Sequence, residues 1–228
     1  MTHHVATSGS RLPPTLLALY GVYWMAMAIA PLNRRDWALE NLLVVVLVPA
    51  LVFTYRHFQF SNRSYLCIAL FMTLHTIGAH YTYAEVPVGF WVQEVFHLSR
   101  NPFDRFAHFA YGFLFVPPLR EVFLRLARVR GGWAFALSIA VTLAQSALFE
   151  IGEAVVAEMV SPELGSAYLG IQGDQWDAQK DIAAAFIGAL LMVGLIAARS
   201  KRVLGKEEAF FLEPRRPSRS SPVQHRSK

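Results

Sequence analysis

The sequence predicts an all-α membrane protein, built as a bundle of about six transmembrane helices. The first observation behind this prediction is composition, because 54% of the 228 residues are hydrophobic and 16% are charged. Soluble domains carry about 25% charged residues. The second observation is distribution, because long apolar runs alternate with short charged clusters. A helix that crosses lipid needs about 20 mainly apolar residues, and its backbone groups must pair within the helix.

Six segments satisfy this requirement and together predict a membrane domain over residues 14–200. In chain order they are residues 14–32, 39–55, 64–83, 104–124, 132–157 and 177–198. The fourth segment is the least regular, because Pro117 and Pro118 interrupt it and basic residues follow. We expect a short span there that kinks into an interfacial stretch.

The segments outside the spans have distinct compositions. Residues 1–13 resemble no cleaved signal peptide, so we expect the first span to be retained. The loop 85–103 contains VGFWVQEVF, which predicts a short helix in the membrane interface. The tail 201–228 is rich in proline, serine and arginine and is predicted to be disordered. The single cysteine, Cys67, excludes an intramolecular disulfide.

The distribution of basic residues predicts the orientation. With six spans, most arginines and lysines fall on the side that also holds both termini, and the positive-inside rule places that side in the cytoplasm. The opposite side holds only Arg34, Arg35, Arg100, Arg105 and Lys180. Flanking charges of this kind also explain the net charge of +5, so we do not expect nucleic acid as a partner.

Four of the predicted spans place acids or histidines at their extracytoplasmic ends. Ionisable groups within spans are costly and usually mark function, so this layer is the candidate site. The helical spacing supports it, because Asp104 and His108 are four residues apart and so are Asp177 and Asp181. The layer consists of His80, Asp104, His108, Glu150, Glu153, Asp177 and Asp181.

The third span contains two histidines, of which we select one. His75 and His80 are five residues apart, about 140° around a helix, so they do not face one point easily. His80 is nearer the outer end and is assigned to the site. His75 is expected to be a hydrogen-bonded core histidine.

The chemistry of the layer suggests a metal. Clustered carboxylates repel one another unless a cation, a proton or an arginine compensates them. Carboxylates and neutral histidines are ligands for zinc, manganese or iron. The predicted metal ligands are His80, Asp104, His108 and Asp181. The predicted acid and base residues are Glu150, Glu153 and Asp177.

Simpler roles remain open for several of these residues. Asp104, Asp177 or Asp181 could only cap the start of a helix, where an anion is favoured. Glu150 and Glu153 could pair with Arg100 or Arg105. No HExxH-type motif is present, so the spacing does not select a particular metal.

Three functions are compatible with this pattern. The first is an enzyme, metal-dependent or not, acting at the outer leaflet on a lipid, a lipid-linked carrier or an envelope precursor. The second is a scaffold or envelope-interaction protein whose polar layer orders the bundle. The third is an ion- or proton-coupled transporter, which is disfavoured because no inverted repeat or pair of broken helices is visible. Membrane lipids are expected partners in each case, and the oligomeric state is open.

Several separated motifs resemble the YjdF-like family of bacterial inner-membrane proteins. They are HTIGAHYTYAEVP (75–87), RNPFDRFAHFAYGF (100–113), REVFLR (120–125), FEIGE (149–153) and GIQGDQWDAQKDIAAAFIGA (170–189). The order of an Asp-x-x-x-His motif, a glutamate helix and a helix with an acidic start is similar, more distantly, to VanZ-like membrane proteins. The resemblance implies a multi-pass protein of a bacterial inner membrane. It implies no particular reaction.

Overall fold

The computed structural model describes residues 10–129, 132–160, 162, 165, 169 and 172–212, with side chains as far as residue 199. The regular structure of these residues is helical throughout, which confirms the predicted all-α class. The helices are α1 (Leu12–Met27), α2 (Arg34–Thr54), α3 (Asn62–Tyr81), α4 (Pro87–Val95), α5 (Phe103–Arg125), α6 (Trp133–Met159) and α7 (Asp177–Leu212).

Each predicted span overlaps one long helix, and the predicted interfacial helix is α4. Two boundaries differ from the prediction. Helix α2 begins at Arg34, five residues before the predicted start at residue 39, because the Asn33 side chain accepts hydrogen bonds from the backbone amides of Arg35 and Asp36. Helix α5 continues past Pro117 and Pro118 to Arg125 as a single helix.

Among the described residues, three helical segments are long and apolar enough to cross a membrane: Arg34–Thr54, Trp133–Met159 and Asp177–Arg199. Helices α1, α3 and α5 complete the set of six long helices but fall outside that group. The count of six spans therefore stays a prediction.

Successive long helices run in opposite directions. Ser10, before α1, donates to Asn62 at the start of α3 (3.0 Å), and Arg125 at the end of α5 donates to the Gln59 carbonyl (2.6 Å). We call this the arginine end of the bundle. The other end is the aspartate end, where α5 begins at Phe103 and α7 begins at Asp177.

Helix α3 packs against α1, α2 and α5, and α5 packs in turn against α6. The buried apolar centre is formed by Val44, Ile68, Phe71 and Met72. Helices α5 and α7 approach closely through glycines, as membrane helices commonly do. A Cβ on Gly112 would lie 1.8 Å from the Ala185 carbonyl oxygen, and one on Gly188 would lie 2.2 Å from that of Phe109.

The described residues up to Val193 form one compact unit, and those from Gly194 onward form a second. Within the second unit α7 continues to Leu212, so residues 201–212 are helical where the sequence predicted a disordered tail. Lysine, arginine, glutamate and alanine in this stretch are good helix formers. The remainder of the predicted tail and the first nine residues of the predicted N-terminal segment lie outside the described residues.

Candidate functional site

Three aspartates from two helices meet at the aspartate end. Asp104 is in the first turn of α5, and Asp177 and Asp181 are on one face of the first turns of α7. Ligand oxygens of the three carboxylates lie within 4.8 Å of one another. Asp177 and Asp181 are 4% and 2% exposed. The structure thus brings together three of the residues that the sequence assigned to the site.

Two arginines compensate these aspartates. The Arg100 guanidinium contacts Asp177 directly and lies 3.9 Å from Asp104. Arg105 donates to Asp177 at 2.7 Å and to Asp181 at 3.3 Å. The aspartate group therefore fits guanidinium partners, and a metal ion there would have to displace them. Metal binding stays a prediction, and we derive no chemical step from it.

His108 lies one turn deeper on α5 and joins the aspartates to α6. Its Nε2 atom lies 3.2 Å from Glu150 Oε1 and 3.7 Å from Asp104 Oδ1. Its Nδ1 atom lies 3.5 Å from the Ser146 hydroxyl. The Glu150 Oε1 atom makes no aligned hydrogen bond with the described residues, so its contact with His108 is one of proximity and charge. His108 is thus placed between two carboxylates.

Glu153 belongs to the same layer, since it interacts electrostatically with Glu40, Asp104, Glu150 and Asp181.

The sequence analysis missed two further acids. Asp36 and Glu40, at the start of α2, are 1% and 4% exposed. Both Asp36 carboxylate oxygens and Glu40 Oε2 lack a hydrogen-bond partner within the described residues. Their four-residue spacing before an apolar run was the available signal, but the predicted span began at residue 39.

The two histidines of α3 lie in different surroundings. His80 Nδ1 is 2.7 Å from the Met27 carbonyl oxygen at the end of α1, so the structure does not bring His80 to the aspartates. His75 is 1% exposed, with Nε2 3.1 Å from the Glu40 carbonyl and Nδ1 2.5 Å from the Tyr83 hydroxyl. Because a carbonyl only accepts, Nε2 carries the proton and Nδ1 accepts from Tyr83. His75 is the hydrogen-bonded core histidine that was expected.

A cavity of about 350 Å³ lies beside His108, between α2, α3, α5 and α6. Its polar lining residues include His75, Tyr83, His108, Tyr111 and Gln145. The Tyr111 hydroxyl donates a hydrogen bond of 2.5 Å to the Gln145 side chain. Its apolar wall consists of Leu43, Leu47, Phe71, Ala107, Phe115, Leu148 and Phe149. The cavity is therefore mainly apolar, with polar side chains contributed by α3, α5 and α6 and by Tyr83.

Asp174 lies outside the spans, in the segment just before α7, and forms ion pairs with residues of α5 and α7. Lys180 donates to both of its carboxylate oxygens, at 2.6 and 2.9 Å, and Arg105 lies 3.4 Å away. These contacts, chiefly the hydrogen bonds from Lys180, lower the pKa of Asp174 to about 2. Nearby, the backbone amide of Asn101 donates a hydrogen bond of 2.9 Å to the Gln172 side-chain oxygen. This bond connects the segment before α7 to the segment before α5.

Comparison with known proteins shows the family. Residues 12–202 match the family described as "Predicted membrane protein (DUF2238)". The chain belongs to this family. It is 36% identical over 189 residues to the inner membrane protein YjdF of Escherichia coli (strain K12), which covers 82% of this chain and 87% of that protein. No solved structure matches the chain.

This membership confirms the YjdF-like resemblance and shows that the chain is a membrane protein of the DUF2238 family. The matched region includes the whole aspartate end, from Asp36 on α2 to Asp181 on α7. The similarity to VanZ-like proteins stays a prediction. Neither the family description nor the name of the relative states an activity.

Proposed function

We propose that the protein is an inner-membrane enzyme that binds an amphiphilic substrate and carries out acid–base chemistry on its polar end. The substrate class is a lipid, a lipid-linked carrier or an envelope precursor. One observation carries the proposal. His108 lines the apolar cavity and also lies within 3.7 Å of two carboxylates, those of Asp104 and Glu150.

The cavity supplies binding energy and orientation. An apolar chain among Leu43, Phe71 and Phe115 exchanges its contacts with lipid tails for van der Waals contacts with these side chains, so packing rather than transfer from water favours binding. The amphiphile then has only one orientation that leaves no polar group in the apolar wall. Its polar end lies toward His108 and the aspartate end.

The polar groups supply proton transfer. Neutral His108 accepts a proton from a substrate group, and the Glu150 carboxylate, 3.2 Å from Nε2, stabilises the imidazolium that forms. Asp104 lies near the same nitrogen, 3.7 Å from Nε2, and adds its negative charge to that of Glu150. Arg100 and Arg105 keep the aspartates in place and provide positive charge for a developing anion. These roles need no metal ion.

The first test is a search for substrate with the purified full chain. The protein is incubated with a total inner-membrane lipid extract, and mass spectrometry records which species are consumed and formed. His108→Gln and Glu150→Gln are each expected to lower the turnover about 100-fold or more, the usual contribution of a general acid or base. His80→Gln is the matched control, because His80 contacts the Met27 carbonyl rather than the aspartates. Equal losses in all three variants would contradict the assignment.

Binding is tested separately from chemistry. Ala107 is 4% exposed and lines the cavity, so Ala107→Phe is expected to fill it and to remove co-purifying amphiphile. Elemental analysis of the same preparations addresses the predicted metal. Stoichiometric zinc, manganese or iron that disappears in Asp104→Asn would show that the site binds a metal. It would contradict the view that the arginines alone compensate the charge of the aspartates.

A second candidate function, proton- or cation-coupled transport, is favoured by a stripe of hydroxyl groups. Ser138, Thr142 and Ser146 follow one another at four-residue spacing along α6, each at most 2% exposed, and lead from Glu150 toward the arginine end. The Thr142 hydroxyl has no hydrogen-bond partner within the described residues. Proton flux into proteoliposomes that is abolished by Glu153→Gln would favour transport. Absence of flux alongside lipid turnover would favour the enzyme.

A further inference from the structure

Two cavities at the arginine end adjoin one another through shared lining residues, and we call the two together the groove. The first, about 240 Å³, lies between α1, α2 and α3 and is almost wholly apolar. The second, about 370 Å³, is lined by polar groups that include Gln59, Asn62 and Arg63. Pro13, Tyr55 and Tyr65 line both cavities. The groove therefore changes from apolar to polar along its length.

We propose that this groove is a binding site for an anionic phospholipid of the surrounding membrane. One acyl chain occupies the apolar cavity, and the phosphate lies in the polar cavity beside Arg63. This site is at the opposite end of the bundle from the aspartates and does not depend on the proposed function. A phospholipid is the ligand because only an amphiphile matches both halves of the groove.

The charges at this end favour an anionic headgroup. Arg63 is exposed, and no carboxylate in the described part of the chain forms an ion pair with it. The neighbouring carboxylate, Glu121, already accepts hydrogen bonds from the Ser61 amide at 2.9 Å and the Ser64 hydroxyl at 2.7 Å, and it also pairs with Arg125. Arg63 therefore offers its guanidinium to a phosphate, for which its planar donors are suited.

The junction of the two cavities has the character of a membrane interface. The rings of Tyr55 and Tyr65 lie there with centroids 6.2 Å apart. Tyrosine is enriched at the depth of lipid headgroups, because its ring is apolar and its hydroxyl is polar. At the far end of the apolar cavity the Tyr20 hydroxyl is bonded to Thr76 at 3.0 Å, so this wall presents no free polar group to an acyl chain.

The test is a lipid titration of the full chain in detergent, followed by native mass spectrometry. Phosphatidylglycerol and phosphatidylcholine with identical acyl chains are compared in the parent protein, Arg63→Gln and Arg56→Gln. Arg56 is the matched control, since it is exposed at the same end but does not line the groove. We expect the parent to prefer phosphatidylglycerol, and Arg63→Gln to weaken its binding about fivefold while Arg56→Gln does not.

The apolar half has its own pair of variants. Ala69→Phe places a ring in the cavity, whereas Leu70→Phe adds a ring at an exposed position of the same helix. Only Ala69→Phe is expected to reduce binding of both lipids. The proposal is overturned if Arg63→Gln retains the headgroup preference, if the two phenylalanine variants bind alike, or if glycerol phosphate alone competes with the lipid. Melting temperature without added lipid confirms that each variant is folded.

Discussion

Asp177 is a buried anion that depends on two guanidinium groups. The side chains of Arg100 and Asp177 are 8% and 5% exposed, so their ion pair is removed from water. Removing one partner of such a pair leaves an uncompensated buried charge, whereas removing both does not. We therefore expect Arg100→Met to lower the free energy of unfolding by about 3 kcal/mol. Chemical denaturation in detergent micelles measures this change.

The double variant Arg100→Met/Asp177→Asn is the control for this prediction. It is expected to recover most of the lost stability, because the anion that needed Arg100 is absent. A double-mutant cycle then gives the coupling free energy of the pair. If the effects of the two substitutions simply add, Arg100 and Asp177 do not interact.

Asp174 provides a prediction about pH. Its pKa is lowered from an ordinary 3.8 to about 2, chiefly by hydrogen bonds from Lys180. A lowered carboxyl pKa means that this interaction stabilises the folded state above about pH 4 and is lost as the pH falls toward 2. In Lys180→Met the pKa of Asp174 is expected to return toward 3.8, with Arg105 limiting the rise. Carboxyl carbon NMR follows the titration, and an unchanged pKa would assign the effect to Arg105.

At the residue scale the sequence predicted the acids better than their partners. Hydropathy and helical spacing identified Asp104, Asp177 and Asp181, because each is an anomaly beside an apolar run. Arg100 and Arg105 were counted as signals of orientation and as possible partners of Glu150 and Glu153, whereas the structure shows them paired with aspartates. A linear pattern does not show which acids a flexible guanidinium reaches. His80 was chosen over His75 by its depth, but the neighbouring helix determines what each ring contacts.

At the element scale, the contact between α5 and α7 depends on two glycines. A Cβ on Gly112 would lie 1.8 Å from the Ala185 carbonyl oxygen, a separation that forces the helices apart. Gly112→Ala and Gly188→Ala are each expected to destabilise the protein by about 1–3 kcal/mol through overpacking. The matched control is Gly21→Ala in α1, where nothing lies within 4 Å of the added atom.

Thermal unfolding in detergent measures these three variants side by side. Gly112→Ala and Gly188→Ala should lower the melting temperature. Gly21→Ala should leave it unchanged or raise it, because alanine has a higher helix propensity than glycine. Equal melting temperatures for Gly112→Ala and Gly21→Ala would be evidence against the close approach of α5 and α7.

Existence of the helices was more predictable than their limits. Apolar runs in the sequence located the long helices and the short α4, because a helix that is buried in lipid or protein must present apolar side chains to its surroundings. The start of α2 was missed, because the capping residue Asn33 and the buried acids Asp36 and Glu40 are polar and do not extend the apolar run. The prolines of α5 were expected to interrupt it, yet Val116 and Pro118 are buried within a helix that packs against both α3 and α6. Tertiary contacts outweigh the local preference there.

At the scale of the whole molecule the two ends of the bundle differ in charge. Buried acids from α2 and α7 and partly buried acids from α5 and α6 gather at the aspartate end, whereas Arg63, Arg120 and Arg125 lie toward the other. This asymmetry does not depend on counting loops in the sequence. A membrane distinguishes the two ends, because basic segments are retained in the cytoplasm. The arginine end is therefore expected to face the cytoplasm.

Thiol labelling tests this orientation, since the chain has one cysteine, Cys67, which is replaced by serine as background. His57→Cys then reports on the arginine end and Glu94→Cys on the aspartate end, both positions being exposed. In intact cells with a permeable outer membrane, a membrane-impermeant maleimide should label Glu94→Cys and leave His57→Cys unlabelled until the inner membrane is opened. The reverse pattern would place the aspartate end in the cytoplasm. In that case an envelope precursor at the outer leaflet would be excluded as the substrate, while the chemistry proposed for His108 and Glu150 would be unaffected.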